Sequence, residues 1–368
     1  QRMFQVTSNS PVKHIPNDYM PEGTGAWFTL SKGADVGKKM FYYDFILGQN
    51  SPTNDKPMRT IFFVHGNPEC SFTYAKIRRQ IMQHWPACDQ AIRIIAMDHI
   101  GFGLSDQASF EMVDKHHATN LQQLIRHLDV TDVTLVIHDW GGAIGIGSFL
   151  QNSQRVRALV LMNTTIFPVP TTGLTYKSFP FRWLAWNHLG FVIPAKFWRY
   201  TPPSVLFSPA GKWNVLKHFA GFYVRALIGK LTQDEIFYRD MFSTKMNALS
   251  SKRNVKQTRV WGHGYEYIDK HLGPQSNREF YKDMQTMLIQ KWGKDSEQSI
   301  PVRAFFGEFD PLARIEVKQQ WLHAMPNLQG NIKSYKNVGH FVEEHEYKDI
   351  AQGILEVTVL NTDNTLAS

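Results

Sequence analysis

From residue 59 onward the chain alternates short β-rich apolar runs with helical patterns: TIFFVH, AKIRRQIMQHW, IRIIAMD, HHATNLQQLIRHL, VTLVIH, GAIGIGSFLQ and RALVLMN follow one another. Runs that are apolar at successive positions belong to strands buried on both faces, and a strand that recurs after each helix builds a parallel sheet with helices on both sides. The pattern predicts an α/β architecture, a mostly parallel doubly wound sheet.

Two segments stand outside the alternation. Before it, GAWFTLSK and KKMFYYDFIL read as an antiparallel opening pair. After Asn163 the sequence becomes aromatic, proline-punctuated and helical in pattern for more than a hundred residues, and strands resume only at VRAFFGEFD. The expected organisation is an extended arm over 1–25, a core formed by 26–167 and 296–368, and an inserted helical cap over 168–295. The 368 residues suffice for that plan.

Bulk properties exclude several classes. The two cysteines, Cys70 and Cys88, make no disulfide framework, and no Cys/His group has metal-ligand spacing, so no metal and no cofactor is expected. No apolar run reaches the length of a membrane span, so no transmembrane segment is expected. The N-terminal residues lack the order of a signal peptide, and a cytoplasmic setting is expected, although Gln1 in place of Met leaves room for a removed leader. The net charge of +8 is scattered, with small clusters at Lys76, Arg78, Arg79 and at Lys252, Arg253, Lys256, which read as a solvated basic face; no nucleic-acid motif accompanies it.

The candidate chemistry starts at TLVIHDWGGAIG, where a strand must turn at once into a packed helix. Gly141 and Gly142 supply small residues beyond the turn, and the residue at its tip is Asp139, although Ile137 occupies the other usually small position. Asp139 as a simple helix cap is the competing assignment. Three further segments weigh against it. His65-Gly66-Asn67-Pro68 ends a strand as an oxyanion loop does, offering the amide of Asn67 beside that of Trp140. Asp310 in FFGEFDPLA and His340 in VGHFVEEHE each follow a later strand, which gives the chain order nucleophile, acid, histidine.

Taken with DHIGFGLSD at 98–106, these motifs resemble the haloalkane dehalogenase family of α/β-hydrolases over roughly residues 27–355, the cap aligning only loosely. The resemblance implies an α/β-hydrolase fold with an inserted cap. It also implies Asp139 as nucleophile, His340 as base, Asp310 as its acid partner, and Asn67 with Trp140 as the pair that holds the departing halide. Some relatives carry the acid just after the strand before the cap, but here that region reads LMNTTIFP, so the acid falls to Asp310. That set is similar to the family's third subgroup and to the β-lactone decarboxylases of bacterial long-chain olefin biosynthesis.

Residue chemistry agrees with this reading. A carboxylate is already ionised at neutral pH and displaces leaving groups from saturated carbon, forming an ester that His340 and water would hydrolyse. The expected partners are a small hydrophobic haloalkane or β-lactone, water and halide, and a homo-oligomer is left open. Epoxide opening needs an acid, for which Tyr176, Tyr200, Tyr223, Tyr238, Tyr265 and Tyr267 are the cap candidates. A non-enzymatic binding module is a further alternative. So is lipid contact through FRWLAWNHLGFVIPAKFW. The aromatic residues Phe179, Phe181, Trp183, Trp186, Phe191, Phe197 and Trp198 suit long alkyl chains, but packing is the expected role of such a stripe.

Overall fold

The computed structural model describes residues 5–48, 58–85, 90–297 and 299–359; Cys88 lies outside them. Twelve strands and thirteen α-helices are described, in this chain order. The strands β1 (Gly25–Thr29), β2 (Lys39–Leu47) and β3 (Arg59–Val64) lead to α1 (Ala75–His84) and β4 (Ile92–Met97). Then come α2 (Asp114–Leu128), β5 (Val133–His138), α3 (Gly141–Phe149) and β6 (Val156–Met162). The intervening segment holds β7 (Pro180–Phe181), β8 (Leu184–Ala185), α4 (Trp186–Val192), α5 (Ala195–Trp198), α6 (Thr201–Leu206), α7 (Lys212–Leu227), α8 (Gln233–Met241) and α9 (Lys245–Gln257). It continues with β9 (Glu266–Asp269), β10 (Gly273–Ser276) and α10 (Arg278–Lys291). The chain closes with β11 (Val302–Phe309), α11 (Ile315–Ala324), β12 (Ile332–Gly339), α12 (Val342–His345) and α13 (Tyr347–Thr358).

One eight-stranded sheet runs β1-β2-β4-β3-β5-β6-β11-β12. β1, β2 and β4 pair antiparallel, and the other neighbours pair parallel. Its central strands are buried on both sides, as the apolar runs require: Phe62 and Val64 join a cluster with Leu121 and Leu124 of α2, whereas Ile61 and Phe63 join one with Ile77 of α1 and Ile354 of α13. β11 and β12 approach so closely that a Cβ on Gly307 would lie 1.9 Å from the carbonyl oxygen of Gly339. That contact sets the spacing of the two strands from whose ends Asp310 and His340 project.

The structure adds to the sequence reading in three places. The segment between β6 and β11 is not wholly helical, since β7–β8 and β9–β10 form two short antiparallel hairpins. Residues 5–24 contain no helix or strand, yet they are tied to the loop after β4: Ser8 Oγ donates to Leu104 O at 2.6 Å, and the buried Tyr19 hydroxyl donates to Asp98 at 2.6 Å. Nor is the expected basic face uniformly solvated, because Arg78 is buried and ion-paired to Asp18 at 2.6 Å, and Lys252 is also buried. Among the described residues, no helix is long and apolar enough to cross a membrane.

Beneath the loop after β3, three buried imidazoles stack, His65 on His99 at 4.2 Å and His99 on His117 at 4.9 Å. His65 Nε2 accepts the backbone N–H of His99 at 3.0 Å, so its Nδ1–H donates to Gly66 O. Both ring nitrogens of His117 lack a partner. Burial, first of all, lowers the pKa of all three rings. The unfolded chain therefore takes up protons below about 6.5 that the folded chain refuses, and each ring contributes stability that is lost as pH falls from that value toward its folded pKa. We expect His117→Phe, which forfeits no hydrogen bond, to relieve acid destabilisation by about 1.4 kcal/mol per pH unit below about pH 6.5, read by urea denaturation at several pH values. An unchanged slope would contradict the assignment of His117 as buried and neutral.

Candidate active site

The candidate residues project from the carboxyl ends of parallel strands, where open α/β sheets place their sites. Asp139 follows β5 with φ of 53°, in the left-handed region, and the chain enters α3 two residues later. That bend requires missing side chains. A Cβ on Gly141 would lie 2.3 Å from Val64 O, one on Gly142 would lie 2.0 Å from Thr164 Oγ1, and one on Gly66 would lie 2.3 Å from Asp139 Oδ2. Ile137, the departure from the expected small pattern, is accommodated by Gly145, whose Cβ would meet the Ile137 side chain at 2.9 Å. Thr164 Oγ1 donates to the carbonyl of Asp139 at 2.5 Å, and this bond helps hold the bend.

The structure brings all five candidate residues together. Asp139 is buried, with one carboxylate oxygen, Oδ2, accepting the backbone N–H of Asn67 at 2.7 Å and the other, Oδ1, 3.0 Å from His340 Nε2. His340 Nδ1 lies 2.8 Å from Asp310 Oδ2. Burial alone would lower the pKa of the His340 ring, but the charge of Asp310 and hydrogen bonds to both carboxylates outweigh it and raise the ring well above its ordinary value. The ring thus lies between two carboxylates, and both favour its protonated form. A Cβ on Gly66 would also lie 2.7 Å from the backbone nitrogen of Trp140, so the amides of Asn67 and Trp140 flank the Asp139 carboxylate without steric obstruction.

Several functional contacts had no signal in the sequence. Asp310 accepts a hydrogen bond from the Tyr176 hydroxyl at 2.6 Å and from Asn163 Nδ2 at 2.7 Å. Asn163 occupies the end of β6, where a carboxylate is absent, and holds the acid in place; its φ of 32° is one that asparagine tolerates. The backbone of His340 is anchored from below. His138 Nε2 donates to the His340 carbonyl at 2.8 Å, while His138 Nδ1 lies 2.8 Å from Glu69. Burial opposes ionisation of Glu69, but the charge and hydrogen bond of His138 hold it at about 2, whereas burial and the neighbouring Glu69 push Glu343 well above the usual carboxylate range.

The inserted segment also fixes the two side-chain donors. Trp261, just beyond α9, stacks on Trp140 with ring centres 3.6 Å apart. Ser251 of α9 donates its hydroxyl to Asn67 Oδ1 at 2.7 Å and accepts the Trp198 indole N–H at 2.9 Å. Ser251 thus holds both ends of the Asn67 amide, its hydroxyl donating to Oδ1 and its backbone carbonyl accepting from Nδ2 at 3.4 Å, which leaves the second N–H of the NH₂ group to donate elsewhere.

Above Asp139 lies a cavity of about 100 Å³, partly open to solvent. Asn67, Asp139, Trp140 and His340 line its floor, and Trp186, Leu189, Trp198, Val205, Val215 and Val255 its inserted-segment wall. Of the aromatic stripe, Phe179, Trp186 and Trp198 face the cavity, so packing is not their sole role, whereas Trp183, Phe191 and Phe197 are exposed. Among the described residues lining the cavity, Tyr176 is the only tyrosine, and its hydroxyl is committed to Asp310.

Comparison with known proteins places this geometry in context. A family described as alpha/beta hydrolase fold matches residues 59–343. The chain is 35% identical over 140 residues to cis-3-alkyl-4-alkyloxetan-2-one decarboxylase of Shewanella oneidensis, a stretch covering 37% of this chain and 39% of that protein. It is 33% identical over 154 residues to haloalkane dehalogenase 2 of Mycobacterium tuberculosis H37Rv, covering 42% and 46%. The match thus spans less than half the length of either relative. Among solved structures, the tetrameric haloalkane dehalogenase DpaA from Paraglaciecola agarilytica NO2 superposes with a TM-score of 0.61 at 20% identity, covering 96% of this chain and 99% of that one. At that identity the likeness speaks for the fold.

Loss of the Ser251 hydroxyl should let the Asn67 amide turn its carbonyl toward the cavity. We expect Ser251→Ala to weaken bromide binding, followed by quenching of indole fluorescence, by about tenfold, the worth of one buried hydrogen bond left unmade. Undiminished bromide affinity would show that Asn67 is oriented by other means.

Proposed function

The chain belongs to the alpha/beta hydrolase fold family, and on that premise we propose that it displaces a leaving group from saturated carbon with Asp139, acting as a haloalkane dehalogenase: haloalkane and water give alcohol and halide. The observation that carries this reading is the division of labour at the Asp139 carboxylate. Oδ2 is held by the Asn67 amide, which leaves Oδ1, directed at His340, to attack.

In the first step Oδ1 forms a bond to carbon and the carbon–halogen electron pair leaves with the halide. The Asn67 NH₂ and the Trp140 indole N–H donate to the departing anion in an apolar cavity, where such donors act more strongly than in water. No proton is required. In the second step water attacks Cγ of the esterified Asp139, and the amides of Asn67 and Trp140 hold the oxyanion on Oδ2. His340 takes the proton from water, with Asp310 fixing the ring.

The electrostatics support this order. Esterification removes the charge of Asp139, one of the groups that hold the His340 pKa high, so once the adduct exists a protonated ring gives up its proton to solvent more readily and can then act as the base. Asp310 remains to stabilise the imidazolium that forms. Epoxide opening is less well supported, since it needs an acid and the single tyrosine of the cavity donates to Asp310.

A second reading draws on the decarboxylase relative. Attack of Asp139 on the ring carbon bonded to oxygen would open a β-lactone to an ester bearing a free carboxylate. Loss of CO₂ would then form the alkene and return the electron pair to Asp139, without water. The long apolar wall of the cavity suits such alkyl chains.

Two experiments test these steps. Parallel incubation with a 1-bromoalkane series and a synthetic cis-3,4-dialkyl β-lactone separates the readings: halide without alkene supports dehalogenation, and fast alkene with slow halide supports the decarboxylase. His340→Ala should leave ester formation intact and trap the adduct on Asp139, seen as a mass increase after exposure to bromoalkane; unmodified protein would contradict the proposal. With the native chain, adduct hydrolysis should fail only at a pH below that at which the ring titrates in the resting enzyme. Coincidence of the two titrations would refute the proposed electrostatic order.

A further inference from the structure

Helix α7 is apolar on the wrong side. Val215 and Phe222 are its buried residues, and Val215 lines the cavity. On the opposite face Trp213, Lys217, Ala220, Val224 and Leu227 follow at intervals of three and four, forming one stripe. That stripe is exposed: Trp213 is 76% accessible, Val224 56% and Leu227 87%. The Trp213 ring extends the stripe to β7 and its turn, since Phe181 lies 6.5 Å from it and stacks on Trp183, itself 70% accessible, at 5.3 Å. Contiguous exposed apolar surface of this kind marks an interaction site.

Charge indicates the occupant. From residue 163 to residue 233 the chain holds eight Lys and Arg and no Asp or Glu. Arg182, Lys212, Lys217 and Lys230 are exposed beside the apolar stripe, and the Lys212 ammonium lies 5.8 Å from the centre of the Phe181 ring. The next acidic pair, Asp234 and Glu235, opens α8, and Glu235 is engaged by Arg225. A protein interface depletes lysine at its centre and carries polar residues of both signs at its rim. Lysines among tryptophan and leucine, in a segment with no acid from 163 to 233, match instead the boundary between acyl chains and negative headgroups, where lysine stems lie along apolar surface and their ammonium groups reach outward.

We propose that this face, α7 with Phe181 and Trp183, docks on an anionic lipid bilayer. The inference is independent of the reaction assigned to Asp139. It also gives the cavity a supply route, because α7 would contact lipid with one face while Val215 on its other face forms part of the cavity wall.

The test uses the full chain and vesicles of phosphatidylglycerol and phosphatidylcholine in equal parts, or of phosphatidylcholine alone. The native chain should co-sediment with the anionic vesicles at low salt and much less with the neutral ones. The triple variant Trp213→Gln, Val224→Gln, Leu227→Gln, whose residues are exposed and whose fold is checked by circular dichroism, should bind about tenfold or more weakly, and so should Lys212→Glu with Lys217→Glu. Failure of the native chain to sediment at low salt would overturn the proposal. So would equal binding by the apolar variant, or a native oligomer in sedimentation velocity that the triple variant converts to monomer without any vesicle binding.

Discussion

Everything at this site depends on how a buried carboxylate is held beneath an apolar cavity. Asp139 sits on a bend with positive φ, buried under a cavity walled by tryptophan, leucine and valine. An ion there is tolerated only if each oxygen is satisfied. One oxygen has the Asn67 amide and the other has the His340 ring, whose pKa Asp310 and Asp139 together raise. The glycines at 66, 141 and 142 follow from this arrangement, since side chains there would occupy the space of the carboxylate, of Val64 O or of Thr164. The same contacts that make a buried carboxylate acceptable would also, on the proposed reaction, hold it in place to attack.

The supporting network lies in layers beneath the reacting atoms. Asp310 is fixed by Tyr176 from the inserted segment and Asn163 from the end of β6, while the His340 backbone is fixed by His138 and, through it, Glu69. Groups held by their own hydrogen bonds have little freedom to reorganise during reaction. The inserted segment acts on the site in the same sense, stacking Trp261 on Trp140 and setting the Asn67 amide through Ser251. It therefore shapes the candidate site and does not only cover it.

Much of the sheet was legible because its signal is local. TIFFVH and VTLVIH are apolar at most positions, and a strand buried on both faces leaves that imprint wherever it lies in the sequence. Asp139, Asn67 and Asp310 were legible as candidates because each follows a largely apolar strand, whereas His340 follows the mostly polar β12 and was legible by its place after the last strand. Contacts across the insertion were not legible. Ser251 is one serine in a polar helix, Asn163 merely marks a missing carboxylate, and Glu69 adjoins a turn; their roles arise from neighbours 184, 147 and 69 residues away. The hairpins β7–β8 and β9–β10 were hidden because two to four residues carry no usable period. The aromatic stripe was ambiguous because periodicity does not say which of three fates awaits each ring, and here they divide between cavity, packing and exposed surface.

The central claim is that Asp139 itself becomes esterified and is then hydrolysed at its own carbonyl carbon. Its most direct test is turnover of an excess of 1-bromoalkane in water enriched in heavy oxygen, followed by digestion and mass analysis of the peptide containing residue 139. The account predicts heavy oxygen in the Asp139 carboxylate and in no other side chain after several turnovers. Product alcohol formed over many turnovers with Asp139 unlabelled would mean that water attacks the substrate directly, and would contradict it.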